Sequence, residues 1–282
     1  MQPNWDEAEL IRTCRVAYAR RIAAVAGLAP GNAIEAALAA IPREQFAGPP
    51  PWKILSPGDR FRATTSDPAA LYQDVLVALC VGAGLNNGQP SLHALCLRAL
   101  APQTGEHAVH VGAGLGYYTA LLATLVGETG HVDAYEIEPD LAARARQNLA
   151  GFPQVAVHGR SGAEGPLPPS DLLYVNAAAA EPLAVWLDAL RPDGRLLFPL
   201  APDDGSGLML LVARKATGPY TTEFLCPVQF VPCAGAQDER AGRALKAALK
   251  RGFNRQVRWL HRDNMPGERC WCAGNGWWLE EA

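Results

Sequence analysis

Val109-His110-Val111-Gly112-Ala113-Gly114-Leu115-Gly116-Tyr117-Tyr118-Thr119 is the stretch from which the rest of this chain is read. Its apolar start predicts a strand over 107–112, and its glycines turn that strand into a helix over 117–126. Glycine at such a turn lets the backbone approach a ligand closely. A dinucleotide fingerprint places its third glycine three residues after the second, where this chain has Tyr117; here the glycines fall at 112, 114 and 116. That spacing favours S-adenosylmethionine over a dinucleotide. Glu136 closes the next strand candidate, 131–136, twenty residues beyond Gly116, where a carboxylate can accept both hydroxyls of a ribose. Open parallel sheets bind ligands beyond the carboxyl ends of their strands, and both features fall there.

Downstream, short apolar runs at 154–158, 171–176 and 194–199 alternate with helical patterns at 139–149 and 181–190. This alternation predicts βαβ units and an α/β fold, a mostly parallel sheet with helices on both faces. The runs 207–213 and 220–231 have no long helix between them and predict an antiparallel pair at one edge. Upstream, apolar residues at mixed three- and four-residue steps predict an amphipathic helix over 5–27 and a shorter one over 32–40. Pro49-Pro50-Pro51 then ends regular structure, and a linker is expected. The run that begins at Val75 reads as a strand ended by Gly82 and Gly84, followed by the loop Asn86-Asn87-Gly88-Gln89-Pro90 and a helix through Leu100. The chain therefore divides into an N-terminal helical extension (1–56), a central domain (57–235) and a C-terminal α+β tail (236–282). Four of the seven tryptophans lie in that tail, as the packing of a terminal hairpin or as an aromatic wall for a substrate.

Composition removes several classes of function. The net charge is −3 and no basic run gathers, so nucleic acid is not an expected partner. With 49% hydrophobic and 19% charged residues the chain is neither disordered nor collagen-like. No apolar run approaches the ~20 residues of a membrane span. The acidic start, Met1 to Glu7, lacks the features of a signal or transit peptide, which predicts a cytoplasmic protein. Seven scattered cysteines include one close pair, Cys270 and Cys272, one residue too tight for a usual zinc knuckle, so no metal is expected. His110 reads as a satisfied strand histidine.

From about Ile41 to Pro232 the sequence resembles the protein L-isoaspartate O-methyltransferases, a branch of the class I methyltransferases that use S-adenosylmethionine. Ile41-Pro42-Arg43-Glu44-Gln45-Phe46 matches the family's V-P-R-E-x-F, and Gly112 to Ala123 its G-x-G-x-G-Y-x-T-A-x-L-A. Leu190-Arg191-Pro192-Asp193-Gly194-Arg195-Leu196 is similar to L-x-P-G-G-R-L, and Phe230-Val231-Pro232 to a late F-V-P. The resemblance implies a Rossmann-like fold with a seven-stranded sheet and a cofactor site at Gly112, Ala113, Gly114, Gly116, Tyr117, Glu136, Ile137, Ser161 and His93. It implies a substrate loop at Asn86, Asn87, Gly88, Gln89, Pro90 and Ser91, which closes over cofactor and isoaspartyl residue; Asn176, at the end of strand candidate 171–176, joins the substrate set by its place on the sheet's carboxyl edge.

Two departures stand out. Gly88 takes the place of the family's loop serine, and His158-Gly159-Arg160-Ser161-Gly162 replaces a G-D-G whose aspartate accepts the adenine amino group. Ser161, Glu164, the backbone or packing alone is then left to hold adenine. Asn176 either orients an acceptor oxygen or caps the next helix. A carboxylate acceptor with a pKa near 4 is already ionised at neutral pH, so no catalytic base is named. The reading is an O-methyltransferase that acts on a carboxylate of a protein, peptide or small molecule and releases S-adenosylhomocysteine. Its rivals are a methyltransferase with another acceptor, a cofactor-binding interaction protein without turnover, and a nicotinamide oxidoreductase, which the glycine spacing disfavours. Oligomeric state is not legible.

Overall fold

A computed structural model of the chain describes residues 6–56, 60–80, 84–252 and 256–282, and every count and absence refers to these. Met1 to Trp5 of the acidic start and the strand-ending Gly82 lie outside them. The chain opens with α1 (Glu7–Val25) and α2 (Ala33–Ala40), as the apolar spacing predicts. Asn32 starts α2 by accepting the Glu35 N–H at 3.0 Å.

The expected linker after the prolines is instead a small antiparallel sheet. Its strands are β1 (Trp52–Ser56), β2 (Arg60–Thr65), β3 (Leu76–Cys80) and β4 (Leu85–Asn86), in the order β2-β1-β3-β4. Trp52, Ile54, Leu71, Val75 and Val77 form a core of their own beneath it. The alternation Trp52-Lys53-Ile54 carries the period of two, but it is too short beside three prolines to announce a strand. The helix α3 (Pro90–Leu100) follows.

The main sheet grows from β5 (His107–Val111), α4 (Tyr117–Val126), β6 (His131–Tyr135), α5 (Pro139–Asn148), β7 (Val155–His158) and β8 (Ser170–Val175). Next come α6 (Ala184–Ala189), β9 (Leu190–Leu200), β10 (Ser206–Ala213) and β11 (Tyr220–Gln229). Strands β7-β6-β5-β8-β9 are parallel neighbours, β10 adds antiparallel to β9, and β11 antiparallel to β10. These seven strands are the mostly parallel sheet that the sequence predicts.

The β10–β11 pair is not its edge, however. The tail forms α7 (Glu239–Leu249), β12 (Val257–His261), β13 (Cys270–Gly274) and β14 (Trp277–Glu281), and β12 pairs with β11 so that, among the described residues, the sheet has ten strands. Each apolar set lies on its own side of the central strands. One core joins α1, α2, α3 and α4 to Ala108, Leu172 and Tyr174; the other joins α6, α7 and the tail to Val109, Leu173 and Val175. Alternate residues of β5 and β8 thus serve opposite cores, as the pleat of a strand requires. Trp271 and Trp277 are buried in the second core, which is the packed-hairpin reading of the tail. No helix is long and apolar enough to cross a membrane.

Candidate functional site

The glycine turn sits where β5 hands over to α4. Gly112, Gly114 and Gly116 all take positive φ (78°, 56° and 94°), a region that L side chains rarely enter. At Gly116 a Cβ would also meet Leu149 at 2.8 Å. Glu136, just beyond β6, turns back on this loop: its Oε2 accepts the Gly114 N–H at 2.7 Å and its Oε1 the Glu138 N–H at 3.0 Å. Burial raises the Glu136 pKa, and those backbone donors work against the rise. Beside it opens a cavity of about 440 Å³ whose walls include Gly112, Gly114, Glu136, Ile137, Ser161 and Val231. Ile137 is 49% exposed, an apolar side chain awaiting cover at that wall. A buried carboxylate at a strand end, a turn free of side chains and an uncovered aliphatic residue fit an adenosyl group, with Glu136 for the ribose and Ile137 for the face of the base.

Arg160 takes no part in that cavity. Its guanidinium lies 4.7 Å from the centre of the Tyr135 ring and donates to the carbonyls of Ser161, Glu164 and Pro166, bracing the loop from outside. Ser161 lines the cavity and its Oγ accepts the Ala163 N–H, whereas Glu164 is absent from the lining.

A second cavity of about 620 Å³ adjoins the first, sharing Leu79, Leu85, Asn86, Gly112, Gly114, Val231 and Pro232. It gathers Asn86, Asn87, Gly88, Gln89 and Asn176 from the expected substrate set. Ala113, Tyr117 and His93, expected with the cofactor, also line this cavity and not the smaller one. Pro90, Ser91 and Gly116 line neither, and neither does any tail tryptophan. Pro90 opens α3, while Ser91 donates its N–H (2.9 Å) and its hydroxyl (2.7 Å) to Asp74. Ser91 is thus spent on holding the helix start.

Behind the larger cavity lies a network of buried polar groups. His93 stacks on Tyr118 with ring centres 3.6 Å apart and shares a hydrogen bond of 2.6 Å with the Tyr174 hydroxyl. Burial lowers its pKa well below the usual histidine value, so it is neutral. Its Nε2 fills the space over Gly88, where a Cβ would stand 2.0 Å away at φ 74°. This explains the missing loop serine: there is no room for one. His110 is fully buried, and burial lowers its pKa to about 3. With Nδ1 donating to Thr119 Oγ1 at 2.8 Å, its Nε2 accepts from Asn176 Nδ2 at 2.7 Å. Asn176 Oδ1 is then left buried without a partner. Of the two readings of Asn176, helix capping fails, because α6 begins only at Ala184.

Sequence reasoning missed the role of Arg43. From the Pro-Arg-Glu motif it reaches, wholly buried, to the carbonyls of Leu71 (2.5 Å) and Val75 (2.7 Å) and to Asn87 Oδ1 (3.3 Å). The Val77 N–H donates to the same Oδ1 at 2.8 Å. Two donors on Oδ1 fix the amide's orientation and leave Asn87 Nδ2 buried with no acceptor. The signal available was the motif itself; its partners lie about thirty to forty-four residues away.

The family model for protein-L-isoaspartate(D-aspartate) O-methyltransferase matches residues 24–238. A protein-L-isoaspartate O-methyltransferase of Methanocella arvoryzae is 34% identical over 184 residues, 64% of this chain and 94% of its own length. One from Aeropyrum pernix is 29% identical over 243 residues, covering 84% of this chain and 86% of its own. Among solved structures, a protein-L-isoaspartate O-methyltransferase superposes with a TM-score of 0.63 at 19% identity, over 89% of this chain and 74% of that one. A Plasmodium falciparum structure assigned to the same enzyme, in complex with S-adenosyl-L-homocysteine, gives 0.61 at 18% identity, over 78% and 98%. The last two establish the shared fold. The match over most of the chain, together with the glycine turn and its buried glutamate, places this protein in the protein-L-isoaspartate O-methyltransferase family of S-adenosylmethionine-dependent methyltransferases.

Proposed function

We propose that this chain transfers the methyl group of S-adenosylmethionine to a carboxylate of the isoaspartyl type on a protein or peptide. The observation that carries the reading is Asn87 Nδ2, a donor held by Arg43 and the Val77 N–H in the wall of the larger cavity with no acceptor of its own. An acceptor carboxylate supplies that missing partner once loop 86–89 moves enough to bring the buried amide to the cavity surface. Asn176 Oδ1, equally unpartnered, suits the N–H of the residue that bears it.

The sulfonium brings an activated methyl and a neutral leaving group. The chain's own residues position and desolvate. Glu136 and the glycine turn hold the nucleoside end. Among the residues lining the larger cavity Asp204 is the only charged one, so no cation there quenches the acceptor's nucleophilicity. His93 and His110 are neutral and serve as fixed dipoles rather than bases. Proximity supplies much of the acceleration.

A second reading, a different carboxylate acceptor, is favoured by Gly88, where His93 Nε2 occupies the place of the family's hydroxyl. The test is transfer of labelled methyl to an isoaspartyl peptide beside the same peptide with normal aspartate, scored as base-labile ester. Ester on the isoaspartyl peptide alone supports the first reading. No ester on either, from protein that binds the cofactor, supports the second. Glu136→Ala is expected to weaken cofactor binding about 100-fold, the loss of two hydrogen bonds to a charged group; unchanged affinity by calorimetry removes the ribose assignment.

A further inference from the structure

Three of the chain's six histidines converge on one carboxylate of β6, two from the strand starts opposite the glycine turn and His158 from the far end of β7. His107 and His131 are the first residues of β5 and β6 and stand directly across from each other in the parallel register. Asp133, two residues on, points to the same face. His107 Nε2 lies 2.6 Å from Asp133 Oδ2, and His131 Nε2 lies 3.4 Å from the same oxygen. His158 Nε2 reaches the other oxygen, Oδ1, at 2.6 Å. The ligand atoms of His107, His131 and Asp133 all lie within 4.8 Å of one another.

We propose that His107, His131 and Asp133 form a binding site for one divalent transition-metal ion, with Zn²⁺ the best match to two imidazoles and a carboxylate. Bonds of about 2.0–2.1 Å at a tetrahedral angle put neighbouring ligand atoms about 3.3–3.4 Å apart. The His131–Asp133 contact has that spacing already, and it is long for a hydrogen bond. The His107–Asp133 pair lengthens by about 0.7 Å as the ion replaces the proton between them. His158 plays the supporting part that ligating carboxylates usually require: it donates to the oxygen left outside the coordination sphere and fixes the carboxylate's orientation. His131 has a side chain 44% exposed, which gives the ion a path in from solvent and leaves a coordination position for water. The spacing of these ligands along the chain is set by the register of two strands rather than by a local motif, which is why the cysteine arithmetic of the sequence does not reveal them.

The experiment uses the metal-free full chain, titrated with Zn²⁺ by calorimetry and with Co²⁺ by visible absorption. The expected result is one ion per chain with a Co²⁺ ligand-field spectrum free of sulfur charge transfer. His131→Ala, which leaves the His107 and His158 bonds to Asp133 in place and so keeps the fold, is expected to weaken binding about 100-fold or more; His158→Ala weakens it about 10–100-fold. No stoichiometric binding overturns the site. So does binding that His131→Ala leaves unchanged, or a sulfur charge-transfer band, which would point to Cys270 and Cys272 instead.

Discussion

At Gly88 the backbone holds φ 74° and His93 Nε2 stands 2.0 Å from where a Cβ would be. His93 cannot yield cheaply, because it is buried, stacked on Tyr118 and bonded to Tyr174. Gly88→Ser is therefore expected to destabilise by about 1–3 kcal/mol in urea denaturation. The part of that loss owed to the clash should vanish in the His93→Ala background while the part owed to positive φ stays, a coupling that a double-mutant cycle reads directly. The buried imidazoles also set an acid limit. His110 is held at a pKa of about 3, below the unfolded value of about 6.5, so between these the unfolded chain binds the extra proton. Stability falls as pH drops through that window, with His93 acting in the same direction. Denaturation midpoints measured from pH 7 to pH 5 should show the slope, and His110→Gln should flatten it. The glycine turn and Glu136 were legible in sequence because a turn and the next strand end are local. The Arg43–Asn87 contact was not, since forty-four residues separate its partners and the Pro-Arg-Glu motif does not say what its arginine meets.

Helix α3 illustrates how an element depends on a residue outside it. Gln89, at its N-cap, makes no side-chain cap, and Asp74 does the work from before β3 by accepting from Ser91 N, Ser91 Oγ and Gln89 Nε2. Asp74→Ala is expected to cost about 1–2 kcal/mol of stability. It should also speed hydrogen exchange at the Ser91 amide and raise KM for the acceptor, because loop 86–89 hangs from that helix start. The βαβ elements were legible to within a few residues, their alternation being strong and regular. Strands β1 and β2 were hidden by the prolines before them, and β9 starts at Leu190, four residues early, extending the strand through Arg191-Pro192-Asp193-Gly194.

For the whole molecule, the tail completes the sheet. The residues Leu245, Trp271 and Leu279 are buried in the core that holds Leu210 and Val212, and β12 covers the outer edge of β11. Removing 236–282 uncovers both an apolar face and an unpaired strand, so the shortened protein is expected to elute as aggregate in size-exclusion chromatography. A monomer with native circular dichroism would show the tail to be dispensable. Its alternation was readable as a hairpin, but which strand it would join was not, because any exposed edge satisfies the same pattern.

The partition between the two cavities is made of Leu79, Leu85, Asn86, Gly112, Gly114, Val231 and Pro232, residues that face both. A common partition has a kinetic meaning. Direct transfer across it needs both ligands in place together; Cys233, the one thiol in the smaller cavity's wall, is held protonated by burial with its pKa raised to about 11 and does not carry the methyl between them. A ternary complex is therefore the expected kinetic order, and initial-rate lines that intersect rather than run parallel check it. Because the wall is shared, the apparent dissociation constant for the acceptor is expected to depend on how much cofactor is bound, and spent cofactor that lingers is expected to slow the next acceptor as well as the next donor.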